Sequence, residues 1–316
     1  MIRRLYYSAI IALCLSIAAS GPAGARSIGS KAGTSAFPFL KINVGARSCA
    51  MGGAFTGLAD DESALYYNPA GIVLLEGKRF VLEYLNYFAD LQSGFIGFSK
   101  PVSPKVAIGF SLDYLNYGDF VNTDINGNNL GTFGGSDLMF AGTFAMKLND
   151  QFSAGGSAKL IYEKLEKYSA TGLAMDLSAR YASDRNRYMA GILVQNLGFQ
   201  MSGLGSEKDP LPLTLRIGGA VKPRGLPLKV AADLIIPVDN RIDIAVGAEL
   251  LSLKPLFIRA GWNSFGSNYR SSNSTDKLAG FALGVGFEYR NMQLSYSYSP
   301  AADLGNSHRI TLSGGF

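Results

Sequence analysis

The chain has 316 residues, of which 17% are charged and 47% hydrophobic, and its mean hydropathy is only +0.14. It contains 38 glycines and one histidine, and its formal net charge is +5. No apolar stretch of membrane-spanning length follows the first 25 residues, which excludes a helical membrane protein. Because the positive charge forms no basic run, nucleic-acid binding is not expected. The composition favours a β-protein with much irregular backbone.

The N-terminus has the pattern of a secretory signal peptide. Arg3 and Arg4 form a short basic head, an apolar run follows over 5–19, and Ala23-Gly24-Ala25 supplies the small residues of a cleavage site. We therefore predict that residues 1–25 are removed by cleavage after Ala25. An uncleaved anchor is the alternative, and the cluster of small residues argues against it.

Residues 26–78 are rich in small side chains and do not alternate. Asp60-Asp61-Glu62 precedes a predicted short helix over 63–67, which Asn68-Pro69-Ala70-Gly71 ends because proline cannot continue a helix. We interpret the acids as a solvated cap of this helix. A cation site is the alternative, although three adjacent acids cannot converge on one ion. Because about 50 residues of this kind cannot bury a core alone, we expect a hatch inside a barrel.

From residue 79 onward, apolar and polar residues alternate with the period of a β-strand. In 281–289, for example, the apolar residues at odd positions share one face, and Ala, Gly and Glu share the other. Strands of this kind suit a barrel with a lipid-facing outside and a polar lumen. We predict fourteen strands, at about 79–88, 91–99, 105–116, 136–147, 151–164, 170–182, 187–197, 212–222, 226–236, 241–250, 254–263, 278–289, 291–299 and 307–316.

The connections between these strands give independent support. The long ones, at about 117–135, 198–211 and 264–277, are the third, seventh and eleventh, whereas the even-numbered connections are short. Bacterial barrels place long loops outside the cell and tight turns in the periplasm. We therefore predict that the odd connections lie outside the cell and carry the residues that recognise a partner.

Charged side chains of both signs lie on the face opposite the apolar one, as a polar lumen requires. A soluble sandwich would expose the same face to water, but the predicted strands are long for a sandwich. The charges predicted to point inward are Asp113, Lys159, Glu163, Asp176, Arg180, Arg216, Lys229, Asp233, Asp243, Glu249, Arg259, Glu288 and Arg309.

The last predicted strand alternates to the end of the chain. Ile310, Leu312 and Phe316 share one face, and we interpret them as the barrel-closing signature that is typical of bacterial outer-membrane barrels. His308 is predicted to be a membrane-interface residue. A Ser-His pair with an orienting group is needed for hydrolysis. We therefore predict no catalytic residue, no enzyme activity, and no cofactor or metal.

The predicted fold class is all-β: a closed antiparallel transmembrane barrel of about fourteen strands with a small N-terminal hatch that contains short helical turns. The predicted domains are a signal peptide at 1–25, the hatch at 26–78 and the barrel at 79–316. The predicted location is the bacterial outer membrane.

The segment 45–72, GARSCAMGGAFTGLADDESALYYNPAGI, resembles the opening of the PorV/PorQ family of outer-membrane proteins. That family resembles the FadL-type transporters, whose fourteen-stranded barrel is closed by an N-terminal hatch. Cys49 departs from the pattern, in which an aliphatic residue is expected. The hatch-motif residues that carry the resemblance are Gly52, Gly53, Asp60, Asp61, Asn68, Pro69, Ala70 and Gly71.

The resemblance implies two alternative functions. PorV-like members serve the type IX secretion system and receive the C-terminal signal domain of secreted proteins at the cell surface. FadL-like proteins pass hydrophobic small molecules through the barrel wall. A structural outer-membrane β-protein without transport is a third alternative. We favour the first function. The expected partners are outer-membrane lipid, the barrel assembly machinery, and either C-terminal domains of secreted proteins or a hydrophobic ligand.

Overall fold

The computed structural model describes residues 31–266 and 278–316, so the predicted signal peptide lies outside the described residues. Within them, fourteen antiparallel strands form one closed barrel in which β1 pairs with β14. The strands are β1 Arg79–Asn86, β2 Gln92–Ser103, β3 Val106–Thr123, β4 Asn129–Lys147, β5 Phe152–Leu165, β6 Tyr168–Ala182, β7 Tyr188–Ser202, β8 Thr214–Val221, β9 Leu228–Pro237, β10 Asp243–Leu250, β11 Leu256–Asn263, β12 Phe281–Tyr289, β13 Met292–Pro300 and β14 Asn306–Gly315.

The alternating sequence gives each strand one lipid-facing side and one lumen-facing side, because successive side chains point to opposite faces. On β12, Leu283 is 58% exposed, whereas its neighbour Ala282 is 2% exposed. The barrel closes in the register Arg79↔Gly315 to Asn86↔His308. The predicted closed, fourteen-stranded barrel is thus confirmed. No helix among the described residues is long and apolar enough to cross a membrane.

The prediction of a long loop at 117–135 is wrong. β3 continues to Thr123 and β4 begins at Asn129, so that only 124–128 connects them. The register Phe120↔Phe133 brings two rings together with centroids 5.4 Å apart. Its Gly and Asn content made this segment look irregular, but the aromatic pair stabilises strand pairing. The seventh connection is shifted to 203–213, since β7 extends to Ser202, and residues 267–277 lie outside the described part of the eleventh.

The hatch consists of short helical pieces that lie against the lumen face of the wall. Helix α1 spans Ala46–Ala50 and helix α2 spans Ala64–Tyr67, and 3-10 turns span Pro38–Lys41 and Pro69–Leu74. Ten of the thirteen charges that were predicted to point inward are buried, although they face a lumen. The hatch therefore fills the space that water would occupy in an open pore.

The wall is taller on one side than on the other. Strands β3 to β7 have 14 to 19 residues, whereas β8 to β14 have 8 to 10. We call the end of the barrel that carries the odd-numbered connections the odd end, and the opposite end the even end. The β3–β4 hairpin projects at the odd end, because β2 pairs β3 only to Asn116 and β5 pairs β4 only from Gly135.

The hatch and the cavity above it

Partly buried ion pairs hold the hatch to the wall near the even end. Arg47 Nη1 lies 2.7 Å from Asp60 and 2.9 Å from Asp61, and its Nη2 lies 2.7 Å from Glu249 on β10. Lys229 Nζ on β9 lies 2.6 Å from Asp60. A single arginine of α1 thus joins the two acids of the hatch motif to the wall. Charge-assisted bonds of this kind are strong and directional.

The interpretation of Asp60, Asp61 and Glu62 as a solvated cap is therefore wrong for Asp60, and also for Glu62, which is 2% exposed and lies 2.5 Å from Arg79 Nη2. Burial by itself would raise the pKa of Asp60, but the charges of Arg47 and Lys229 hold that pKa well below its usual range. Asp61 does retain a capping role, because its Oδ1 accepts a hydrogen bond of 2.9 Å from the Ser63 amide. Across the described ranges, no group of three or more acidic, His or Cys side chains is placed to hold a metal ion.

The Asn68-Pro69 step ends α2 and attaches the hatch to the wall. Asn68 is extended and Pro69 starts the next 3-10 turn. The Asn68 Nδ2 donates to the Thr56 carbonyl at 2.7 Å, within the hatch. The Ala70 amide donates to Ser178 Oγ on β6 at 2.9 Å. A Cβ on Gly71 would collide with the Ala59 carbonyl, so this turn packs without room for a side chain.

The glycine pair of the motif allows backbone to contact backbone. Gly52 has φ +70° and Gly53 has φ +85°, a region that favours glycine. A Cβ on Gly52 would lie 2.6 Å from the Trp262 carbonyl oxygen of β11. Gly261 of the same strand faces Gly52 and is equally crowded. The hatch loop and the wall therefore both carry a glycine where they meet.

An arginine–aspartate pair anchors the middle of the hatch. Asp233 Oδ2 accepts hydrogen bonds from the backbone amides of Phe55 at 3.1 Å and Thr56 at 2.9 Å. Arg216 Nη2 donates to the Gly53 carbonyl at 2.7 Å and lies 3.4 Å from Asp233. The sequence predicted that both charges point into the lumen, but three of their hydrogen bonds go to backbone groups of the hatch, which no side-chain pattern marks.

Cys49 lies on α1 and is 6% exposed. Its Sγ is 3.7 Å from the Val44 carbonyl oxygen and 3.9 Å from the Tyr67 hydroxyl. Burial raises the pKa of the Cys49 thiol to about 11. The residue that departs from the family pattern is thus a neutral, buried side chain.

The hatch end that lies toward the odd end is mainly apolar. Phe37, Phe39 and Leu40 are buried in one cluster with Leu211 of the 203–213 connection and with apolar side chains of β3 to β6. The Ala36 amide donates to the Pro210 carbonyl at 2.9 Å. This connection therefore folds over the lumen and covers the beginning of the hatch.

A cavity of about 200 Å³ lies above the hatch at the odd end. Its lining combines Tyr66, Ile235 and Phe281 with Gln195 and Arg216. Gln195 is 3% exposed, and its Nε2 has no hydrogen-bond partner among the residues that the structure describes. The cavity thus combines apolar side chains with a buried amide donor and with charged groups, among them Arg216, Asp243 and Arg309.

The C-terminal signature residues lie on the outer face of β14 and at its end. Ile310 is 49% exposed, Leu312 is half-buried, and Phe316 is 73% exposed. The Phe316 amide donates to the Lys78 carbonyl at 3.1 Å across the closing seam. His308 also faces outward, with Nδ1 2.8 Å from the Tyr296 hydroxyl, so the one histidine points away from the lumen.

Comparisons with known proteins agree with this architecture. The toluene transporter TbuX of Ralstonia pickettii superposes with a TM-score of 0.61 at 14% identity, over 87% of this chain and 98% of that one. The toluene transporter TodX of Pseudomonas putida gives 0.58 at 14% identity, over 86% and 96%. A FadL homologue of Pseudomonas aeruginosa gives 0.54 at 12% identity, over 91% and 98%. At these identities the similarity shows the fold alone.

At the level of sequence, no curated protein matches the chain. A family model does match: that of the type IX secretion system protein PorV, over residues 26–255. The match covers the hatch and the first ten strands and extends well beyond the motif at 45–72. With its fourteen-stranded barrel, its hatch and this match, the chain is an outer-membrane protein that belongs to the PorV family.

Proposed function

We propose that the protein is a non-enzymatic docking component at the cell surface, which receives C-terminal domains of secreted proteins at its odd end. The observation that carries this proposal is the β3–β4 hairpin. It projects beyond its neighbouring strands and exposes Val121 (61%), Ile125 (100%) and Leu130 (62%). Exposed apolar groups on a projecting element favour a protein partner.

The edges of the hairpin support the same proposal. Residues 119–123 of β3 and 129–134 of β4 pair with each other, and no further strand pairing flanks them in the described chain. Unpaired strand edges present backbone donors and acceptors that a partner's strand can use. A β-rich cargo domain would therefore find both apolar side chains and a hydrogen-bonding edge.

The filled lumen makes the barrel a rigid platform for docking. Met51, Phe55 and Tyr67 are fully buried in the hatch, and Arg216 lies over the Tyr67 ring at 5.0 Å. A rigid platform suits a barrel that receives cargo, and the packed hatch supplies that rigidity.

The test is a hairpin variant with Val121→Thr, Ile125→Asn and Leu130→Thr. We expect a several-fold loss of capture of a secreted protein's C-terminal domain in pull-down from membranes, with unchanged heat-modifiable migration on gels. The matched control is Leu148→Thr with Leu253→Thr, which removes exposed apolar side chains from connections at the even end. Full capture by the folded hairpin variant would contradict the proposal.

The cavity supports a second candidate function, transport of a hydrophobic small molecule. At about 200 Å³ it is smaller than typical sites for drug-sized ligands, so it suits a compact molecule such as a monoaromatic. Ile235→Trp should fill it and abolish retention of toluene by the purified protein, whereas the outward-facing Ile244→Trp should not. If both the hairpin and the cavity variants leave capture and retention unchanged, a structural role remains.

A further inference from the structure

One of the six cations that were predicted to point inward differs from the rest. Arg180, on the lumen face of β6, is 2% exposed and has no ion pair with any described residue. A buried charge is unfavourable unless an opposite charge compensates it. The other five each have a carboxylate oxygen within 3.4 Å: Lys159 with Asp176, Arg216 with Asp233, Lys229 with Asp60, Arg259 with Glu249 and Arg309 with Glu83.

The hydrogen bonds of Arg180 leave part of its guanidinium free. Nε and Nη2 both donate to the Leu58 carbonyl of the hatch, at 3.3 Å and 2.9 Å. Nη1 donates to none of the described residues and is not enclosed. The charge of Asp60 acts on Arg180, but the ion pairs of Asp60 are made with Arg47 and Lys229. Arg180 therefore keeps a donor for an anion that the described chain does not supply.

Arg180 lines a pocket of about 310 Å³ at the even end, which we call the Arg180 pocket. The chain at 149–153, before and at the start of β5, forms one side, and 182–186, between β6 and β7, forms another. The exposed side-chain amides of Asn149, Gln151 and Asn186 belong to this lining. A volume of this size lies at the lower end of the range for small-ligand sites.

The other charges of the pocket indicate which anion fits. Asp150, Asp184 and Arg185 also line it, and all three are exposed. The two acids repel a dianion such as phosphate more strongly than they repel a single carboxylate. The three side-chain amides can both donate to and accept from peptide groups. Together with the planar guanidinium, which matches a carboxylate, these groups favour a peptide with one terminal carboxylate.

We propose that the Arg180 pocket binds the C-terminal carboxylate of a peptide. Arg180 Nη1 donates to the carboxylate, and the amides of Asn149, Gln151 and Asn186 bind the peptide groups that precede it. The site goes beyond docking at the odd end, because the pocket lies at the opposite end of the barrel, which is predicted to face the periplasm.

The test measures binding of N-acetyl-alanyl-alanine to the folded, full-length barrel in detergent micelles by isothermal titration calorimetry. The wild type should bind this dipeptide, but not its C-terminal amide, and should bind propionate more weakly. Arg180→Gln should weaken binding of the dipeptide on the order of tenfold, because it removes a hydrogen bond to a charged group. Arg224→Gln, at an exposed arginine of the even end, is the control and should bind as the wild type does.

A second variant leaves the bonds between Arg180 and the hatch in place. Gln151→Glu adds a negative charge to the pocket lining and should weaken binding several-fold, whereas Asn291→Asp adds the same charge to another even connection and should not. Heat-modifiable migration reports whether each variant is folded, and Gln151→Glu decides if Arg180→Gln does not fold. Equal binding of the dipeptide and its amide, full binding by folded Arg180→Gln, equal losses in Gln151→Glu and Asn291→Asp, or propionate binding as tight as that of the dipeptide would overturn the proposal.

Discussion

The two ends of the hatch are held by different forces. Toward the even end, Arg47, Asp60 and Glu249 form partly buried ion pairs, whereas toward the odd end Phe37 and Leu211 pack in an apolar cluster. Breaking a buried ion pair leaves a charge without a partner, but an apolar cluster can separate and exchange one apolar partner for another. We therefore expect the even end to act as a fixed anchor and the odd end to be the part that can open.

The largest effect should come from removal of the anchor. Arg47→Met leaves the buried Glu249 and the partly buried Asp60 and Asp61 with unbalanced charge and should lower the free energy of unfolding by about 3–5 kcal/mol. A denaturant titration of the reconstituted barrel measures this change. Arg224→Met, at an exposed arginine of the even end, is the control and should have little effect. Equal midpoints for the two variants would contradict a fixed anchor.

A smaller, local effect is expected at the apolar end. Phe37 is fully buried, and Phe37→Ala should cost about 3 kcal/mol, the low end for such a substitution, because the overlying connection can partly close the space. The effect should appear as faster hydrogen exchange at the amides of Leu40 and Ile42, with little change at β10. Phe199→Ala removes an aromatic ring that is 62% exposed on the outer face and should leave these amides protected.

Cys49 reports on access between the two ends. Burial raises the pKa of its thiol to about 11 from 9.0, and the thiolate is the reactive form. At pH 8 the folded protein should therefore react with maleimide about a hundredfold more slowly than the unfolded chain, from the difference in thiolate fraction alone. The rate should keep rising up to about pH 11. Phe37→Ala should speed the reaction with maleimide without global unfolding. A rate that reaches a plateau near pH 9 in the wild type would instead show that the thiol is exposed.

The smallest effect concerns the contact between hatch and wall backbones. Gly52→Ala and Gly127→Ala both place a side chain at positive φ, +70° and +84°, which costs about 1–2 kcal/mol. Only at Gly52 would the new Cβ meet the wall, because nothing lies within 4 Å of a Cβ at Gly127. The difference between the two losses of unfolding free energy isolates the contact. If they are equal, the hatch has room to move away from β11.

Sequence alternation by itself determined the barrel. Period-two patterning is a local property of each strand, so the fourteen segments and the lipid-facing side of β12 could be predicted without knowledge of any contact. The block at 45–72 likewise indicated the hatch and the family. The projecting hairpin could not be recognised in this way, because Gly and Asn at 117–135 favour turns and only the pairing of Phe120 with Phe133 shows that the strands continue.

The tertiary structure alone decided what the hatch motif does. Arg47 and Glu249 are 202 residues apart in the chain. Nothing in the sequence around either residue identifies the other as its partner. Asp233 binds backbone amides of Phe55 and Thr56, which every residue type except proline possesses. Which charge meets which group depends on how the hatch is seated in the closed barrel, and a local pattern carries no information about contacts made at that distance.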